Sequence, residues 1–284
     1  MKKIKKQHII PGFVLFLMVM LLGIIIFCSL ASILFPIDLG ETNLTERLLK
    51  PAFMIGGDSR YVLGTDHLGR DFAVRLVYGT RNTLLIAGSG LLIAAAVGTT
   101  LGVLAGMNRG WVDSLIMFLV DVRLSVPSTI IGIVCASIFG SSKMTLVMII
   151  GFTGFASFSR LVRGQIIQLR EANFIECSRA LGASKIRILF EHVLINIASP
   201  LIINATMKLS SFILLESSLS FLGLGIQPPD VSLGVMVSAG RDYMINAWWL
   251  TIVPSTVIVI IVMSVSLIGD WLRDKLDPKL QNNT

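Results

Sequence analysis

Six stretches of the chain are apolar for long enough to cross a bilayer, or nearly so: Ile9–Phe35, Thr83–Met107, Ser114–Phe139, Met144–Phe158, Val193–Leu215 and Trp248–Gly269. A spanning helix needs roughly 20 mainly apolar residues, since each adds about 1.5 Å against a hydrocarbon core about 30 Å thick. The fourth stretch is short, and the third carries charges near its start. Glycine and proline within these runs are compatible with membrane helices. The pattern predicts an all-α membrane protein with six transmembrane helices.

Composition closes off the soluble alternatives. Hydrophobic residues make up 54% of the 284 and charged residues 14%, against about 25% charged in average soluble domains. So few charges cannot cover a water-facing surface, which excludes a cytosolic enzyme and a secreted binding domain. The basic excess, 24 Lys+Arg against 17 Asp+Glu, is read by position. With the N-terminus inside, the inner face receives Lys2, Lys3, Lys5, Lys6, Arg109, Arg160, Arg163, Arg170, Arg179, Lys185, Arg187, Arg273, Lys275 and Lys279. The outer face receives only Arg47, Lys50, Arg60, Arg70, Arg75, Arg81, Lys143 and Arg241. The positive-inside rule then puts both termini in the cytoplasm. The surplus charge is a topology signal and no sign of nucleic acid.

This orientation divides the chain into residues 1–35 (tail and first helix), 36–81 (an extracytoplasmic loop), 82–271 (a core of five spans) and 272–284 (a cytoplasmic tail). The core holds an inner loop, 160–192, and an outer loop, 216–247. The first run is too long for the apolar region of a cleaved signal peptide and reads as a retained anchor. Cys28, Cys135 and Cys177 have neither metal nor redox spacing.

The first outer loop contains Gly64-Thr65-Asp66-His67-Leu68-Gly69-Arg70-Asp71. Asp66, His67 and Asp71 invite a metal reading, but Asp between glycines is ordinary turn chemistry. In the inner loop, Phe174, Cys177 and Leu181 recur at helical spacing, with Arg170, Glu171, Glu176 and Arg179 largely on other faces. Gly182 breaks the pattern, and Ile186, Leu189 and Phe190 resume it. Two short amphipathic helices joined at Gly182 fit a helix lying on lipid headgroups or one presented to a cytoplasmic partner; periodicity does not separate these. Ser220 to Pro229 is too apolar for an open loop and too broken for a helix, so it is expected to be buried in protein as a gate-like element.

No phosphate-binding loop, zinc-protease helix or serine-nucleophile elbow occurs in the sequence. An enzyme is therefore not expected, nor a metal site. Ionisable residues within spans are functional candidates because each costs roughly 2.5–3.5 kcal/mol or more at the bilayer centre. Asp121 and Arg123 precede Pro127, and Lys208 lies about 22 Å along the fifth span. Lys208 is placed to snorkel outward, to pair with Glu216 two turns on, or to face a pore.

The inner loop resembles the "EAA" loop of ABC-importer permeases. Glu176-Cys177-Ser178, Gly182 and His192-Val193-Leu194-Ile195 fill its frame, with Cys177 and Ser178 in place of alanines, His192 in place of Ile and Ile195 in place of Pro. Arg179-Ala180-Leu181-Gly182-Ala183 closely matches the peptide-importer branch. The 64–71 segment, Ser220 to Pro229, Gly240-Arg241-Asp242-Tyr243, Trp248-Trp249 and Gly269 to Pro278 are similar to the second permease subunit of dipeptide, oligopeptide and nickel importers. Leu233-Gly234 and Ser266-Leu267-Ile268 depart from that branch, where Trp and Asn are usual.

The resemblance implies a type I importer permease (MetI-like) fold in a bacterial or archaeal plasma membrane. It also implies four partners: a second permease, two cytoplasmic ATPases and an extracytoplasmic binding protein. ATP and Mg would be held by the ATPases, with no cofactor in this chain. The inner-loop helices would dock on an ATPase through Phe174, Cys177, Ala180, Leu181, Gly182 and Ala183, with Glu171, Glu176, Arg179 and Lys185 as a polar rim. Small peptides are the expected cargo, with a nickel or other metal chelate as the alternative within the branch. A stand-alone channel or ion-coupled carrier would need intramembrane ionisable chains or an internal repeat, and neither is evident.

Overall fold

The computed structural model describes residues 12–34, 40–108 and 110–276, apart from the side chains of Ser32, Ile33, Leu34, Arg179 and Lys185. Lys2, Lys3, Lys5, Lys6, Arg109 and Lys279, used above for orientation, lie outside the described residues. Ten α-helices order the described chain: α1 (Gly12–Leu34), α2 (Phe72–Met107), α3 (Trp111–Ser125), α4 (Ser128–Phe139), α5 (Lys143–Arg170), α6 (Asn173–Ala180), α7 (Lys185–Ile188), α8 (Leu194–Phe221), α9 (Leu233–Gly240) and α10 (Trp249–Leu276).

Helices α1, α2, α5, α8 and α10 are each long and apolar enough to cross a membrane. The one span expected over Ser114–Phe139 is instead two helices, α3 and α4, meeting at 90°. The physical cause is Pro127. Proline disfavours helical backbone in the residue before it, and Val126 is extended at φ −103°, ψ 128°. Pro127 then opens α4, where its missing N–H costs nothing.

Whether the bent pair crosses the membrane is settled by the packing of α2 on α5. Gly90 faces Ile150, Gly98 faces Phe155 and Phe158, Gly102 faces Val162, and Gly106 faces Ile166. The two helices therefore run parallel in constant register. A Cβ on Gly98 would stand 2.4 Å from the Phe155 carbonyl oxygen, so the backbones touch only because the α2 face is Gly90, Ala94, Gly98, Gly102 and Gly106. This is the small-residue packing expected where lipid offers no hydrophobic drive for helices to associate. Two parallel neighbours need a return path between them, and α3 with α4 supplies it. The traverses thus number six.

The short fourth span expected at Met144–Phe158 is the first half of the longer α5, which Ser142 caps by accepting from Thr145 N. Arg160, Arg163 and Arg170 consequently sit on α5 and not in a loop. Arg163 pairs with Asp113 on α3, Nε to Oδ1 2.5 Å and Nη2 to Oδ2 2.7 Å. Arg160 pairs with Asp121, 2.5 Å apart. Four hydrophobic clusters hold the described residues together. The largest joins Ile86 and Ala94 of α2, Ile150 and Phe158 of α5, Phe212 and Leu219 of α8, and Ile261 of α10. Much of α1 remains open, with Phe13, Phe16, Val19 and Phe27 all more than 60% exposed, as a lipid-facing helix requires.

Candidate coupling surface and transport path

Helices α6 and α7 form a hairpin at the end of α5. Gly182 makes the turn with φ +85°, in the left-handed region that glycine enters freely. Ile175, 1% exposed, ties α6 down against Val162, Ile166, Ile188, Val193 and Ile197. Ser178 Oγ lies 3.1 Å from His192 Nε2, and the Phe174 ring meets the His192 ring edge-on at 5.9 Å. Leu189–Val193 is a π-helical turn leading from α7 into α8, a feature that recurs where helices are re-aimed at functional sites.

With Ile175 turned inward, the other apolar positions face out. Phe174 is 44% exposed and Leu181 89%, and Ile186 and Phe190 are similarly open. Cys177 is exposed as well. Glu171, Glu176, Ala180 and Gly182 share this exposed surface, while Ala183 is half-buried beneath it. The side chains of Arg179 and Lys185 lie outside the described residues. The hairpin therefore has two apolar faces, one consumed by its own bundle and one unpartnered. The sequence pattern picked out Phe174, Cys177 and Leu181 but missed Ile175, because a second apolar face interleaved on an eight-residue helix blurs the periodicity.

At the opposite end, residues 40–71 and the segment after α8 form a cap. Asp66 is its hub: its carboxylate accepts from Leu68 N, Arg70 N and Arg70 Nε (2.7 Å), and forms an ion pair with Arg75, Nε 3.3 Å away. Asp71 caps α2 by accepting from Ala73 N and Val74 N. His67 stacks on Tyr243 at 5.6 Å, and its burial pushes the imidazole pKa down, toward the neutral ring. Every member of the suspected metal trio thus has a structural task, and the described residues hold no group of side chains spaced for a metal. Phe72, Val231, Met236, Ala247, Trp249 and Leu250 fill the core of the cap.

Glu216, expected at the start of an outer loop, is fully buried inside α8. Its carboxylate accepts from Ser220 Oγ at 2.7 Å and Ser217 Oγ at 3.4 Å. Ser232 Oγ reaches Ser220 Oγ at 3.2 Å and caps α9, whose first amide, Leu233 N, donates to Thr83 Oγ1 at 3.1 Å. Asn82 Nδ2 donates to Val231 O at 2.7 Å. These bonds seat the gate-like segment on α2 and α8. Of the three placements open to Lys208, the pair with Glu216 does not form; serine hydroxyls take that carboxylate instead. Asp121 and Arg123 point to different partners, as their two-residue spacing requires: Asp121 to Arg160, and Arg123 Nη2 to Ser128 Oγ at 2.7 Å. The signal for the seat was readable in principle as serines at 217, 220 and 232, but only the fold brings Thr83 to them.

Six traverses, with a buried segment seated at one end and an exposed hairpin at the other, define a multi-pass membrane protein. The chain belongs to the family of binding-protein-dependent transport system inner membrane components, whose pattern matches residues 98–282. It is 39% identical over 260 residues to the di/tripeptide transport system permease protein DppC of Pseudomonas aeruginosa, covering 91% of this chain and 86% of that one. It is 37% identical to the dipeptide transport system permease protein DppC of Haemophilus influenzae, covering 95% and 90%. The glutathione transport system permease protein GsiD of Pectobacterium atrosepticum is 39% identical across 80% of this chain and 75% of its own.

Among solved structures, an inward-facing MetNI methionine ABC transporter matches with a TM-score of 0.58 at 21% identity, over 69% of this chain and 93% of that one. An amino acid ABC transporter matches with a TM-score of 0.58 at 11% identity, over 72% and 95%. At those identities the likeness is one of fold, and it agrees with the importer-permease architecture expected from the sequence. Family membership implies an ATPase and a binding protein as partners in general.

Proposed function

We propose that the chain is the second permease subunit of an ATP-driven importer of di- and oligopeptides in a bacterial inner membrane. It pairs with a different permease, works with two cytoplasmic ATPases that bind ATP and Mg, and receives cargo from an extracytoplasmic binding protein. Both termini face the cytoplasm. The α6–α7 hairpin is the ATPase-coupling surface: Phe174, Cys177, Ala180, Leu181, Gly182 and Ala183 supply the apolar contact, and Glu171, Glu176, Arg179 and Lys185 the rim. ATP-driven closure of the ATPases moves the docked hairpin, and α5 and α8 on either side of it carry that motion into the spans.

The observation that carries this reading is the exposed apolar face of the hairpin beside the rigid Ile175 anchor. A soluble loop has no reason to hold Leu181 and Ile186 in water, and docking removes them from it. The peptide cargo is supported by the relatives named for di- and tripeptide transport. The test is uptake of labelled dipeptide by the reconstituted complex, together with ATPase stimulation by the loaded binding protein. Substituting Gly182 by Val or Glu176 by Lys is expected to abolish both. Intact uptake and stimulation in both variants would remove the coupling role, and uptake of a metal chelate but no peptide would overturn the cargo.

A further inference from the structure

Among the described residues two carboxylates are buried, Asp66 and Glu216. Asp66 meets Arg70 and Arg75, whereas Glu216 has no ion pair there and is held by the hydroxyls of Ser220 and Ser217. An acid buried without a cation destabilises a span, and an apolar side chain would fill the same space without that penalty. Glu216 therefore calls for a task in which an acceptor is needed.

The direction of the hydrogen bonds shows that task. Val235 N donates to Ser232 Oγ at 3.4 Å, Ser232 Oγ to Ser220 Oγ at 3.2 Å, and Ser220 Oγ to Glu216 Oε1 at 2.7 Å. A serine hydroxyl has one hydrogen to give, so each presents a lone pair to the group behind it while its own hydrogen is taken by the group ahead. Glu216 ends the chain as its final acceptor, and Ser220 and Ser232 are buried, so water does not replace it. Gly225 and Gly234 leave the room this needs: a Cβ on Gly225 would stand 2.2 Å from Ser220 Oγ, and one on Gly234 2.5 Å from Ser217 O. Beside the chain, Leu233 N donates to Thr83 Oγ1 and Asn82 Nδ2 to Val231 O, both on or from α2, while Ser238 Oγ donates to Phe221 O at the end of α8. The segment thus bridges α2 and α8. Helix α8 has 28 residues, about 42 Å at 1.5 Å each, and it joins this seat to the α6–α7 hairpin at its other end.

We propose that Glu216 is a positioning residue of the transport cycle: as final acceptor of the hydroxyl chain it keeps residues 222–235 seated on α8 until loaded binding protein engages the cap, and so holds ATP hydrolysis low in its absence. This inference rests on the import reading and gives that cycle a latch. While the segment is seated, its two sets of bonds hold α8 to α2, and the hairpin at the far end of α8 is held with them. The link between Ser232 and Ser220 joins two neutral hydroxyls, whose net contribution is modest, so the latch yields to a docking partner without unfolding the cap.

The experiment uses the full transporter in proteoliposomes, with ATP hydrolysis measured with and without dipeptide-loaded binding protein and dipeptide uptake followed beside it. The ratio of stimulated to basal rate within each variant cancels differences in assembly. Glu216→Ala and Ser232→Ala are expected to raise the basal rate by roughly three- to tenfold, the worth of one hydrogen bond, so that the ratio falls toward one. Glu216→Gln keeps an oxygen for Ser220 and should restore most of the wild-type ratio. Leu219→Ala, in the same buried turn but outside the chain, should lower both rates together and leave the ratio as it was. Where Glu216→Ala does not assemble, Ser232→Ala gives the reading, since it leaves α8 untouched. A wild-type ratio in Ser232→Ala overturns the latch. So does a Glu216→Gln that behaves as Glu216→Ala, because the accepted bond would then not be what acts. A wild-type complex that loaded binding protein does not stimulate and that imports no dipeptide overturns the import reading; the latch alone fails when the wild type responds and the variants match it.

Discussion

At the scale of single residues, the cap shows why a sequence motif has the letters it has. Gly64 and Gly69 both adopt positive φ, +77° and +74°, and a Cβ on Gly69 would stand 1.8 Å from the Asn43 carbonyl oxygen. The backbones of 43 and 69 are joined there by the hydrogen bond from Asn43 N to Leu68 O at 3.1 Å. Gly69→Ala is therefore expected to destabilise the cap by about 3 kcal/mol. The left-handed backbone accounts for roughly 1–2 kcal/mol of this, and a backbone clash that no rotamer relieves for the rest. Gly56 offers the contrast: its φ is +81°, but a Cβ there meets nothing within 4 Å, so Gly56→Ala should cost only the conformational part. Limited proteolysis of the outer loop in right-side-out vesicles checks this. Equal cleavage of the two variants would refute the close approach.

At the scale of elements, the α6–α7 hairpin separates a buried apolar anchor from an exposed apolar face. Ile175 is buried within the chain, and Leu181 is exposed. Ile175→Ala should release α6 from α5 and α8 and cost about 2–5 kcal/mol, the usual range for a large-to-small core change. Leu181→Ser should leave the thermal stability of the purified permease within about 0.5 kcal/mol of wild type, yet sharply reduce ATPase stimulation by loaded binding protein. Calorimetry or dye-based melting read beside the ATPase assay distinguishes the two. Were Leu181→Ser to stimulate normally, the exposed face would be a headgroup-lying surface and not a docking one. The helices themselves were largely legible, because runs of apolar residues longer than any soluble core helix needs have one physical meaning. Their ends were not: α5 extends past Phe158 to Arg170 because Asp113 and Asp121 pair with arginines that hydropathy alone assigns to a loop.

At the scale of the whole molecule, orientation is testable through cysteine. Cys177 is exposed at the hairpin and Cys28 is buried. A membrane-impermeant maleimide is expected to label Cys177 in inside-out vesicles and not in right-side-out ones, with Cys177→Ser abolishing the signal. Labelling from the outside would invert the topology and end the coupling reading. The parallel register of α2 and α5 makes the same topology a matter of packing, since the bent α3–α4 pair has to return the chain between them.

Hydropathy and motif spacing were enough by themselves to establish a membrane-spanning, all-helical chain with an amphipathic segment between two of its spans. These follow from transfer free energies and local backbone preference, which depend on neighbours along the chain. Only the tertiary structure decided which acceptor each donor meets. Whether Lys208 meets Glu216 depended on where Ser217, Ser220, Ser232 and Thr83 stand. Whether Phe174 or Ile175 points inward depended on α5 and α8. The α2 glycine stripe was visible at its four-residue spacing, but its meaning required the partner helix. Burial and electrostatic pairing are properties of neighbours in space, and no periodicity along one segment records them.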